Sequence, residues 1–420
     1  MKKISSLCLS VILISLILIS GCGTGQLPSQ STDSTPSTLA SLTQPPVLPA
    51  ATNSPIPFTL TATPTGISIN VTLQSGNTLP KYEYHYLPSH LHPFDIRLGW
   101  GLGGIWNEID NLPAQLDGFI DFGINRLETS IHQGEPPIDW DKPETEIPPQ
   151  FDQFIDGLND SGIAVNYAIH FWDIEGHARG EVLETPRFKT QEQIDDFLNF
   201  VRFLVDHFKG RVQYYTIWTE PDYCGGGQIK CIRTNDYIEL ARQTIPVIQD
   251  IDPQAKVVMA PRVIYWDMES LLTVLRSEVG SMFDVISWHG IYNQVPNNNF
   301  GGDYSYGDYY YEYPSVIEEI KQTAFTNGFA GEFWSTDITI CSQEYPTCWS
   351  GQEWELVKTD KIAAKYDARF FIIHLGMDVG VSWGGLEHFT APWTYPTVQR
   401  LNTVMAGGMP VPHSVEFEND

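Results

Sequence analysis

Positive charge is what this chain has least of: 24 lysines and arginines stand against 51 aspartates and glutamates, a formal net charge of -27 over 420 residues. A surface of that sign repels phosphate backbones and anionic headgroups, so nucleic acid is excluded as an electrostatic partner while neutral sugars are not. Cysteine is scarce, at six, and the folded part is too long for a small stapled scaffold. No Gly-rich phosphate loop follows the first strand-like run, which removes the usual nucleotide reading. No cofactor or metal is expected.

Residues 1–21 read as a secretory signal, with Lys2 and Lys3 as its basic end and Ile4 to Ile19 as an apolar stretch too short to favour a full membrane span. It closes in Ile19-Ser20-Gly21-Cys22, which resembles the bacterial lipobox. That resemblance implies cleavage before Cys22, diacylation of its thiol and a body lipid-anchored to the bacterial cell envelope on its extracytoplasmic side. An uncleaved anchor helix is the alternative. Loss of Lys2 and Lys3 takes the charge from -27 to -29. Residues 22–66 are rich in Ser, Thr and Pro with almost no charge or apolar period, so they are expected to be a disordered tether. A short extension, 67–94, precedes the body, and 411–420 form a tail.

With Cys8 in the signal and Cys22 lipidated, four cysteines remain, in two local pairs: Cys224 with Cys231, and Cys341 with Cys348. An oxidising compartment favours two loop-closing disulfides over free thiols, and a four-cysteine zinc site would want closer spacing within each pair.

From 95 to 410, β-type runs alternate with amphipathic helical stretches, the pattern of a parallel sheet with helices outside it. The strand candidates are 95–100, 124–131, 164–171, 212–218, 256–260, 284–288, 329–333 and 380–383. Between them Phe151, Phe154, Ile155 and Leu158 share one helical face, as do Ile194, Phe197, Leu198, Val201 and Leu204. Further helices are expected at 235–249, 268–277, 314–326, 354–375 and 396–406. Eight strand-helix units favour a (β/α)8 TIM barrel over an open doubly wound sheet.

Chemistry in such a barrel sits where strands end and loops begin. Two glutamates are expected there: Glu220 in Trp-Thr-Glu-Pro-Asp after strand four, and Glu332 in Gly-Phe-Ala-Gly-Glu-Phe-Trp at the end of strand seven. Paired carboxylates across a cleft suit acid-base and nucleophilic work at a glycosidic bond.

This arrangement resembles the clan A glycoside hydrolases, especially families 39 and 5, over about residues 95–406. The resemblance implies a retaining double displacement on a poly- or oligosaccharide, with Glu220 as acid/base and Glu332 as nucleophile. Arg126 matches the clan's active-site arginine, with a barrel-wall ion pair to Glu128 as its alternative role. His289 matches the strand-six histidine lining the sugar site, and Trp383 the aromatic platform beneath the sugar; core packing is the alternative for both. Tyr292 lies three residues past that histidine, where the family usually has a gap of two. His170 and Trp172 after strand three, and Trp100 after strand one, are candidates to line the cleft, or simply to pack. The segment from Tyr304 to Tyr313 reads as a tyrosine-rich loop at the mouth. Thr219 stands where the family has an Asn that donates to the sugar 2-hydroxyl; Thr is shorter and offers one donor rather than two. That departure keeps a carbohydrate-binding lipoprotein without turnover open as a rival, and a transglycosylase would use the same residues.

Overall fold

The computed structural model describes residues 66–68, 83–85, 94–101, 112–130, 147–170, 187–222, 224, 231–290, 306–338, 340, 342–344, 357–384 and 391–410. The signal, Cys22, the tether up to 65 and the 411–420 tail lie outside them.

Two short strands, β1 (Gly66–Ser68) and β2 (Glu83–His85), pair antiparallel with Ile67 opposite Tyr84. The body is the expected barrel. Strands β3 (Leu98–Gly101), β4 (Arg126–Thr129), β5 (Ala164–Ile169), β6 (Tyr214–Ile217), β7 (Lys256–Met259), β9 (Val285–His289), β10 (Glu332–Ile338) and β11 (Gly380–Gly384) run parallel. Pairing of β11 with β3 and of β10 with β9 closes the ring. A two-residue strand, β8 (Arg262–Val263), follows β7 after Pro261, which has no N–H to give a ladder, and pairs with the end of β9.

The helices are α1 (Leu112–Phe122), α2 (Pro149–Asp160), α3 (Gln191–Phe208), α4 (Thr234–Ile251), α5 (Ile264–Arg276), α6 (Tyr306–Thr326), α7 (Asp360–Gly376) and α8 (Thr394–Met405). Local chemistry sets their ends. Thr190 caps α3 by accepting from the Gln193 N–H, and Thr359 does the same for α7 from Ile362. Pro149 starts α2, where its missing N–H costs nothing, and the chain turns back into β5 through left-handed Gly162. The inward faces of α2 and α3 are the predicted ones: Phe151, Phe154, Ile155 and Leu158, then Ile194, Phe197, Leu198, Val201 and Leu204, all buried.

Two elements depart from the sequence reading. Helix α6 begins at Tyr306, so most of the tyrosine-rich segment is helical, with Tyr309 and Tyr313 buried one turn apart and Tyr311 exposed. Pro314 suggested a helix start and lies inside the helix instead. The seventh barrel strand was expected at 329–333 and runs from Glu332 to Ile338. Gly331 explains where it begins: a Cβ there would stand 2.0 Å from the Asp284 carbonyl, and only glycine lets the chain enter alongside β9. The polar Ser335-Thr336-Asp337 run looks like loop in sequence, yet Ser335 and Thr336 are buried.

Candidate active site

The shifted strand reverses the position of one expected carboxylate. Glu332 is the first residue of β10, at the foot of the barrel, and not the last at its mouth. At about 3.3 Å per residue it lies about 16 Å along the strand from Asp337. Its partner is Lys256, the first residue of β7, with Nζ to Oε1 at 2.6 Å. Burial works against the Lys256 charge, and the Glu332 carboxylate more than offsets that, so the lysine pKa is raised.

Arg126 opens β4 and is likewise at the foot. Its guanidinium stacks on the Trp334 ring at 3.6 Å from the centroid and donates through Nε to the Ile96 carbonyl at 3.2 Å. Tyr214 of β6 packs on the same tryptophan, 4.9 Å between rings. Side chains from β4, β6 and β10 meet only inside a closed barrel, so this stack fills its lumen. Complete burial brings the arginine pKa down to about 10. One level up, Asn166 donates to Glu128 at 2.7 Å and accepts from Thr216 at 2.9 Å, and burial raises the Glu128 pKa. A cavity of about 440 Å³ opens at the foot beside Arg97, Lys321 and Glu332; neither Glu220 nor His289 lines it.

Trp383 faces the helices and not the lumen. It is fully buried against Trp100 at 6.0 Å, Phe122 at 6.1 Å and Phe371 of α7 at 6.3 Å, so it and Trp100 are core residues and not sugar platforms. Trp172, Tyr292, Cys341 and Cys348 lie outside the described residues.

At the mouth the structure gathers Glu220, His289 and a third residue, Asp337, not among the candidates above. His289 is the last residue of β9. Its Nδ1 is 3.4 Å from Glu220 Oε1 and 3.7 Å from Asp337 Oδ2. The histidine nitrogen and both carboxylates lie within 4.8 Å of one another, so a single cation, or a carbon developing positive charge, would feel all three.

Backbone strain aims both acids. Trp218, at φ 73, and Glu220, at φ 43, are left-handed on either side of Thr219, and Asp337 is left-handed at φ 57. None is glycine, and such backbones persist only where the surroundings hold them. Asp337 sits in a β-bulge: Ser335 pairs with Val381 but Ile338 with Trp383, one extra residue on β10. A bulge re-aims the side chain it carries. The sequence did contain a signal: strands β6 and β10 both run into tryptophan, hydroxyl residues and a carboxylate, Trp-Thr-Glu and Trp-Ser-Thr-Asp.

His170 follows β5, buried, with its ring 6.5 Å edge-on from that of Trp218. Thr219 is half-buried between the two strained residues. The predicted disulfide Cys224–Cys231 is present, and Ile232 N–H donates to Pro221 O at 2.8 Å beside it, closing the segment that leaves Glu220. Asp222 is pushed up to about 6, chiefly by burial, with the nearby Glu220 adding to it and Arg262 opposing.

Fold and site together define a (β/α)8 barrel with two carboxylates facing each other across a histidine at the C-terminal mouth. The structure is similar to that of a family 39 glycoside hydrolase from Bacteroides cellulosilyticus WH2, at 14% identity over 81% of this chain and 70% of that one, with a TM-score of 0.53. It is also similar to a glucosidase from Croceicoccus marinus, at 13% identity over 75% and 69% of the two chains, with a TM-score of 0.52. At these identities the likeness is one of fold. No protein-family model matches the chain, and no curated protein matches it.

Proposed function

We propose that this protein is a retaining glycoside hydrolase acting on poly- or oligosaccharides, with Glu220 as acid/base and Asp337, in place of Glu332, as nucleophile. The observation that carries the reading is the Glu220–His289–Asp337 cluster, its atoms within 4.8 Å of one another. Retaining enzymes hold their two carboxyl groups about 5 to 5.5 Å apart, whereas inverting ones leave about 6.5 to 9.5 Å for a water. The glycoside hydrolases of similar fold support the same class.

In the first step an Asp337 oxygen attacks the anomeric carbon, the glycosidic C–O bond breaks, and Glu220 gives its proton to the departing oxygen. In the second, Glu220 takes a proton from water, the water oxygen bonds to the anomeric carbon, and Asp337 leaves as carboxylate. His289 stands between the two acids and orients them. The lipobox-like segment adds a location: the enzyme is carried on the cell envelope through Cys22.

Azide distinguishes the roles. Asp337→Ala is expected to be inactive on an activated aryl glycoside and to form the inverted glycosyl azide when azide is added; Glu220→Ala is expected to give the retained azide. Normal turnover by Asp337→Ala would sink the assignment. Thr219 favours a second reading, sugar binding without hydrolysis, which predicts that the wild-type chain binds oligosaccharide and turns over no aryl glycoside.

A further inference from the structure

Glu220 occupies a left-handed backbone, at φ 43, and a non-glycine turn of that kind persists only where its surroundings hold it. Two bonds to the β7–β8 segment flank Pro221. The Glu220 N–H donates to the Pro261 carbonyl at 3.0 Å, and the Asp222 carboxylate accepts from the Val263 N–H at 3.0 Å. Val263 is itself the register partner of His289 in the β8–β9 pair. The Asp222 carboxylate thus ties the acid-bearing turn to the residue alongside the histidine that Glu220 faces at 3.4 Å.

The receiving segment is buried and tied down by its neighbours. Arg262, between the two anchor points, is fully buried, with its guanidinium 4.9 Å from the Tyr237 ring and Nη1 bonded to Ser270. Tyr237 accepts from the Ala260 N–H at 2.7 Å and donates to the Ile217 carbonyl at 3.2 Å, fastening the end of β7 to the end of β6. We propose that Asp222 is a positioning residue for the acid/base: its hydrogen bond to Val263 sets the turn that holds Glu220 against His289 and Asp337. This rests on the reading of Glu220 as the acid.

The test compares two substrates of the sugar the wild-type chain hydrolyses, a 2,4-dinitrophenyl glycoside, whose leaving group needs no proton, and the phenyl glycoside, which does. Asp222→Ala is expected to lower kcat/KM on the phenyl substrate by about 100-fold, the lower end of what general acid catalysis supplies, and on the dinitrophenyl substrate by less than about 3-fold. Asp222→Asn keeps an acceptor for Val263 and is expected to recover most of the loss. Val263→Pro removes the donor from the other side, at a φ of -84 that proline tolerates, and should reproduce Asp222→Ala without touching the carboxylate. Equal losses on both substrates, or an Asn variant as poor as Ala, would overturn the proposal. If Asp222→Ala fails to fold, by circular dichroism, Val263→Pro decides. A wild-type chain inert across a panel of 2,4-dinitrophenyl glycosides would overturn the reading of the site and this inference with it, whereas an active wild type with no leaving-group dependence in Asp222→Ala overturns this inference alone.

Discussion

At the foot of the barrel Glu332 and Lys256 form a pair whose side chains keep 32% and 45% of their exposure. Ion pairs of that kind are worth about 1 kcal/mol or less. Glu332→Gln is therefore expected to lower stability by at most about 1 kcal/mol and to leave kcat within a few-fold of wild type, read by thermal melting and an aryl glycoside assay. A loss of turnover as complete as that of Asp337→Ala would return the nucleophile role to Glu332. Glu220 was legible in sequence because the apolar run Tyr-Tyr-Thr-Ile-Trp stops just before it. Asp337 was hidden because the residues just before it, Ser335 and Thr336, are polar and read as loop although they are buried in the strand. Trp383 misled for the opposite reason: a tryptophan at a strand end is as good a wedge between strand and helix as it is a platform for a sugar.

The segment after β6 is closed by Cys224–Cys231 and by the Ile232 to Pro221 hydrogen bond. A disulfide closing so short a loop contributes about 2 to 3 kcal/mol, mostly by restricting the unfolded chain. The Cys224→Ser, Cys231→Ser double variant is expected to melt earlier by that amount and to lose kcat as well, because the same segment anchors the turn of Glu220; unchanged kcat at 25 °C would separate the staple from the site. Caps and stop residues visible in the sequence mark some element ends, as at Thr190, Pro149 and Gly162. They do not where tertiary contact decides: Pro314 lies inside α6 because Tyr309 and Tyr313, in the turns before it, are buried, and β10 begins where Gly331 can pass Asp284.

At the scale of the whole molecule, a buried histidine makes stability depend on pH. His374 of α7 is fully buried, donating from Nδ1 to the Phe370 carbonyl at 2.7 Å while its Nε2 meets the Tyr313 hydroxyl at 2.8 Å. Tyr313 in turn accepts from Trp288 of β9 at 2.9 Å, so the network joins two helices to the barrel. Burial depresses the His374 pKa to about 4. Between that value and the unfolded value of about 6.5 the unfolded chain takes up a proton that the native state refuses, so stability rises with pH through this window and is lost on acidification, by about 3 kcal/mol once complete. Asp222, raised to about 6, works in the opposite sense over part of the same window. Denaturant melts at pH 4.5 and 7 should show His374→Gln less acid-sensitive than wild type; an identical difference for both would remove His374 as the cause.

The stack of Arg126 on Trp334, at 3.6 Å from guanidinium to ring centroid, closes the lumen at the foot of the barrel. On the function proposed above, a saccharide could not thread past that stack, and a product formed beside Glu220 would leave from the same end of the barrel at which the substrate arrived. Competition between departing product and arriving substrate at the mouth would then follow from a side-chain stack at the opposite end of the barrel.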